Sequence, residues 1–164
     1  MNLANAHSAE TESQPLEASD IVIRGYTSVG QMEGLGKIEI EAREAVIPAR
    51  RQVAYFVKVE VSTMADYPQS SAILVQYDNL DKLLANLDRL SKINITTDRF
   101  KFSEVEYEID GLKIILFNDN RGKTLFNIST GSISATFSPI TRINEFRVLI
   151  EKAKKHLEVH RIEY

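Results

Sequence analysis

His156 and His160 stand four residues apart near the end of the chain. On a helix that spacing puts both imidazoles on one face, where they could share a metal ion. The residues between them are Leu157, Glu158 and Val159, so the glutamate that acts as base in the H-E-x-x-H pattern is out of place. The pair therefore reads as two solvent-facing histidines at a helix C-terminus, where positive charge is favourable. The third histidine, His7, lies near the other end, and none falls between Asp20 and Lys155 to serve as a base for a serine nucleophile. No G-x-S-x-G elbow is present. Gly30-Gln31-Met32-Glu33-Gly34-Leu35-Gly36 is rich in glycine, but it lacks phosphate-loop spacing, leads into a strand, and puts Glu33 where an anion would sit. It reads as a flexible loop between strands, with Met32 and Leu35 offered at its tip to a partner. Arg121-Gly122-Lys123-Thr124 carries the letters of a nucleotide-binding loop, yet Phe117 occupies the position of its earlier glycine. Glu104, Glu106 and Glu108, like Glu39 and Glu41, could do acid–base work or bind calcium. Their alternation with apolar residues marks instead the wet face of a sheet.

Composition excludes several classes. The chain has 164 residues, 43% hydrophobic and 26% charged, with a net charge of −3 and no cysteine. That is one globular domain, without disulfides, thiol catalysis or an iron–sulfur cluster. No apolar run approaches the length of a membrane-spanning helix. Residues 1–19 show neither helical nor strand periodicity and read as a flexible tail. Leu3-Ala4-Asn5-Ala6 resembles the small residues before a signal-peptidase site, without the apolar stretch that precedes one. The protein is expected in the periplasm or outside the cell if a leader was trimmed, and in the cytoplasm otherwise.

From Asp20 onward the hydrophobic period is mostly two. A short strand starts at Ile21 and stops at Gly25. Ile38, Ile40 and Ala42 begin a second, Val53 to Val61 a third that is central, and Ala72 to Val75 a fourth that is buried on both faces. Leu80, Leu83, Leu84, Leu87 and Leu90 then form the stripe of a helix capped by Asp78 or Asn79. Asp110-Gly111 predicts a hairpin in which Ile109 faces Leu112, Tyr107 faces Ile114 and Val105 faces Leu116, with Glu108 set against Lys113. Thr130-Gly131 predicts another, pairing Ile128 with Ile133 and Phe126 with Ala135. A final helix starts near Ser138-Pro139 or Thr141 and buries Ile143, Phe146, Leu149, Ile150, Ala153 and Leu157. Lys152, Lys154 and Lys155 complement its dipole.

The expected fold is therefore α+β. About eight mostly antiparallel strands and two helices run in two ββββα passes, over 20–94 and 101–158, that share one core in a single domain over 20–164. This doubled order resembles the whirly and PC4-like DNA-binding folds in topology alone, since the Lys-Gly-Lys-Ala motif of the plant whirly proteins is absent. The resemblance implies binding of single-stranded nucleic acid, with Arg43, Arg50, Arg51, Lys58, Arg121 and Lys123 on phosphates and Tyr55, Phe56 and Phe117 stacking. The net negative charge weighs against that implication. The leading expectation is a non-catalytic domain that binds a protein or small ligand without a cofactor. Its contact residues would be Met32, Leu35, Arg50, Arg51, Arg121 and Lys123, and open sheet edges leave room for self-association.

Overall fold

The computed structural model describes Pro15, residues 20–95 and residues 99–164. The tail expected over residues 1–19 lies, Pro15 aside, outside the described residues. β1 (Ile23–Gly34), β2 (Gly36–Ile47), β3 (Gln52–Ser62) and β4 (Ser70–Gln76) form one antiparallel sheet in sequence order, followed by α1 (Leu80–Ser91). β5 (Glu104–Ile109), β6 (Leu112–Asn118), β7 (Thr124–Thr130) and β8 (Ile133–Phe137) form the second, followed by α2 (Ile143–Val159). The fold is α+β, in two passes of four strands and a helix.

Period-two alternation builds the first sheet. Ile38, Ile40 and Ala42 of β2 and Val53, Tyr55, Val57, Val59 and Val61 of β3 are all buried on its inner face. The outer face carries Glu41, Arg43, Lys58 and Glu60, joined in a half-buried ion-pair chain. The inner face is divided between two covers. α2 lies over one end, with Leu149 packed on the backbone of Gly30, and β8 crosses the other, with Phe137 against Gly34. α1 packs against α2, burying Leu80, Leu83, Leu87 and Leu90.

The stretch Gly30–Gly36 is not a flexible loop. β1 runs through it to Gly34, turns at Leu35 alone, and resumes as β2. Strand pairing wins because Leu35 N–H and C=O both bond to Thr136 of β8, at 2.9 Å each, which fixes the turn. β4 also differs: it is an edge strand, with Ala72 and Leu74 exposed on one face. Asn79 precedes α1 without capping it; a 3-10 turn over Tyr77–Asn79 leads in, and the Asn79 amide donates to the Asp110 carboxylate at 3.0 Å. α2 is likewise entered through a 3-10 turn, Ile140–Arg142, with no side-chain cap.

The β5–β6 hairpin has the expected register, and Asp110 and Gly111 both take positive φ, 52° and 86°. Lys113 lies opposite Glu108 but pairs diagonally with Glu106, at 3.0 Å. The β7–β8 hairpin is shifted by two residues: Ile128 faces Ala135 and Phe126 faces Phe137. Its turn uses Gly131 and Ser132, so that glycine, at φ 60°, fills the position needing positive φ and β-branched Thr130 stays in the ladder. A shift of two leaves every side chain on its face.

Each sheet closes one edge of the other. The Leu35–Thr136 bridge joins the β1–β2 turn to β8. At β4, the Asp110 carboxylate accepts the Gln76 N–H at 3.0 Å, and the Thr130 hydroxyl donates to the Ser71 carbonyl at 2.8 Å. Thr130 is the one buried polar residue of the core among the described residues, and that bond satisfies it.

Candidate functional site

A cleft opens where α2 ends over β1 and β2. It consists of two adjoining hollows, of about 180 and 400 Å³, that share Thr27, His156 and His160. The smaller is walled by Glu44, Tyr55 and Ile162, the larger by Ser28, Val29, Lys152, Lys155 and Val159. Helical spacing brings His156 and His160 together, with ring centroids 4.5 Å apart. Among the described residues no group of three His, Asp or Glu side chains is placed to hold a metal ion.

Glu44 is the acid of this cleft. It falls in the inward row of β2 between Ala42 and Val46, both buried, and opposite Gly25 of β1. A Cβ on Gly25 would come within 3.1 Å of the Glu44 side chain, so glycine makes the space that the carboxylate fills. Tyr55 closes the floor. Its hydroxyl accepts the Ile162 N–H at 2.6 Å, which ties the chain beyond α2 across the sheet. Burial pushes the Tyr55 phenol above the ordinary tyrosine range; the bond from Ile162 opposes this and neighbouring Glu44 adds to it.

The lysines of α2 divide by direction. Lys154 faces α1 and bonds Asp81 at 2.7 Å and Glu158 at 3.3 Å. Those contacts hold its ammonium above the usual lysine range, the hydrogen bond to Asp81 contributing most. Lys152 and Lys155 turn toward β1 and make no ion pair among the described residues. They line the larger hollow together with Thr27, which belongs to the inward row of β1, and Ser28.

A second surface forms at the end of β6. The Asn118 side chain accepts the Ser103 N–H at 2.7 Å and donates to the Lys101 carbonyl at 2.9 Å. Asp119 accepts the N–H groups of Arg121 and Lys123, each at 2.9 Å, shaping the β6–β7 turn. Arg99-Phe100-Lys101-Phe102 is thereby fastened to Asn118, just before the turn that carries Arg121 and Lys123. Phe100 and Phe102 are 63% and 56% exposed, with Arg99 over the first ring and Lys101 by the second.

The residues singled out from sequence are scattered. Met32 is 4% exposed and belongs to the core, because the segment expected as a loop is strand; Leu35 alone is presented, at 76%. Arg50 is held by Asp20 and the Pro15 carbonyl, and Arg51 stacks on Tyr164. Arg43 and Lys58 lie in the ion-pair chain on the outer face, and Tyr55 is 1% exposed on the inner one. Arg121 and Lys123 lie in the turn that follows Asn118, the residue to which Lys101 is bonded, and the strict cation–aromatic alternation of Arg99–Phe102 is the legible signal for that surface. Glu44 could have been found as the single carboxylate in an otherwise apolar strand row. No protein-family model matches the chain, and a comparison with curated proteins finds no match.

Proposed function

We propose that the chain is a non-catalytic binding domain whose ligand is a small anion, a phosphate or carboxylate group, held in the cleft between β1 and the C-terminal half of α2. The observation that carries this reading is the gathering of two unneutralised ammonium groups, Lys152 and Lys155, with Thr27 of the inward row of β1 and two imidazoles around one hollow. Ammonium and hydroxyl donors converging on one space are what an anion requires. Glu44 stands on the far wall of the smaller hollow and leaves the larger one cationic. Neither imidazole has a side-chain hydrogen bond among the described residues to orient it as a base, which favours binding over catalysis.

Inorganic phosphate is the probe. A ligand at ten times its dissociation constant stabilises the folded state by ~1.4 kcal/mol. Millimolar phosphate is expected to raise the melting temperature of the protein, and the Lys152→Ala/Lys155→Ala variant is expected to lose that rise. An equal rise in the variant, or with sodium chloride at matched ionic strength, would count against the cleft.

A second reading rests on Arg99–Phe102. Exposed phenylalanines alternating with cations, fastened to Asn118 at the start of the Arg121 and Lys123 turn, form a platform on which bases of a single strand could stack. Stacking contributes ~1–3 kcal/mol per base, so Phe100→Ala with Phe102→Ala should weaken binding of a labelled oligothymidine by well over tenfold. No affinity of the unaltered protein for that strand at low salt ends this reading.

A further inference from the structure

We infer that β1 is a self-complementary edge through which two copies of this chain pair as an antiparallel, two-fold dimer. Four strands lie at sheet edges, and three of them are closed or guarded. β4 gives its Gln76 N–H and Ser71 carbonyl to Asp110 and Thr130. β8 is bridged to Leu35. β5 turns Glu104, Glu106 and Glu108 to solvent, all three exposed, so a second β5 laid against it would set carboxylate against carboxylate.

Among the described residues β1 is closed at one point only, near its end, where the Glu33 carbonyl accepts from the Arg142 guanidinium at 2.8 Å; the rest of the strand has none of these protections. It is twelve residues long and pairs with β2 on one side only. Arg24, Tyr26, Ser28, Gln31 and Glu33 are exposed along its outer face. The register with β2 skips Val29 between Ser28 and Gly30, and this bulge keeps all five side chains on one face. Pairing β1 with a second β1 about an axis through Ser28 sets Arg24 against Glu33 of the second copy, Tyr26 against its Gln31, and the same contacts again in reverse. Neither the Arg24 nor the Glu33 side chain has an ion-pair partner among the described residues. The two opposite charges therefore stand free, one near each end of the strand that the two-fold would bring together. Val148 and Val159 of α2, 54% and 65% exposed, flank the same edge and gain cover.

One feature opposes pairing. Lys152 and Lys155 lie level with Ser28, so the axis gathers four ammonium groups near it. Lys152→Ala is accordingly expected to increase the dimer fraction, which locates the axis independently of the charge pairs.

Sedimentation of the full chain over a concentration series tests this. A concentration-dependent dimer is expected. Arg24→Glu or Glu33→Arg alone should weaken it by roughly tenfold or more, since each removes two cross-strand pairs and creates two repulsions. The double variant Arg24→Glu/Glu33→Arg should restore it. A protein that stays monomeric at several hundred micromolar overturns the inference. So does a dimer indifferent to the single reversals, or one that the double reversal fails to recover. Phosphate binding by the cleft is read separately, by the melting shift, and survives either result.

Discussion

Gly36→Ala is expected to destabilise the protein by about 4 kcal/mol, among the largest effects a single methyl group can have. Gly36 opens β2 directly after the turn at Leu35, at φ +113°, where an L side chain is strained. Strain is the smaller part. The added Cβ would lie 2.6 Å from the Ala135 Cβ, 2.9 Å from the Ala135 Cα and 3.0 Å from the Ser62 carbonyl oxygen. Two of these neighbours are backbone, locked by the Leu35–Thr136 bonds on one side and the β2–β3 ladder on the other. Relief must therefore come from separating the sheets. Gly122 provides the control: its φ is +78°, but nothing stands within 4 Å of its Cβ position. Gly122→Ala should cost about 1–2 kcal/mol, the backbone part alone. Urea denaturation of both variants separates the two contributions. Equal costs would show that the sheets do not approach as closely as described.

Phe126→Ala is expected to cost about 3–5 kcal/mol and to lower the melting temperature by roughly 10 °C. Phe126 is fully buried on β7 and stacks on Phe137 of β8, with ring centroids 5.3 Å apart and planes 26° from parallel. Phe137 in turn packs against Gly34 and lies under the Arg142 guanidinium, whose other contacts are Glu145 and the Glu33 carbonyl. Removing the Phe126 ring leaves a cavity where the β1–β2 hairpin, β8 and the entry to α2 meet. These elements are fixed by backbone bonds and cannot collapse into the space. Thermal and urea unfolding followed by circular dichroism measure the loss. A cost below about 1.5 kcal/mol would show that the joint is loosely packed.

Local chemistry that acts within a few residues was legible in the sequence. Asp110-Gly111 specified its hairpin because turn type, alternation and cross-strand partners all lie within fourteen residues, Glu104 to Phe117. The leucine stripe of α1 and the buried stripe of α2 followed from helical period alone. Long-range effects escaped. Gly30–Gly36 looked like a loop because nothing nearby announces that Leu35 will be bridged to Thr136, one hundred and one residues later. Asn79 looked like a cap because its partner, Asp110, lies in the other half of the chain. The β7–β8 register was misplaced for a local reason, the choice of which residue before serine takes positive φ. For the cleft, His156 and His160 are visible as a pair, but Lys152 and Lys155 look only like dipole partners. Their place in the cleft depends on where β1 passes, which the helix sequence does not encode.

The bonds from Asp110 and Thr130 to β4, and from Thr136 to Leu35, all run between the first ββββα pass and the second. Each pass thus supplies the hydrogen-bonding partners that the other would otherwise leave to water or to a stranger. A half-folded chain has no resting place, because either sheet formed first presents an unsatisfied border until its counterpart arrives. The arrangement is expected to make unfolding of the described residues a single concerted event, with coincident transitions by different probes. At β4 and β8 it also confines the hazard of mispaired strands to the interval before the two halves have met.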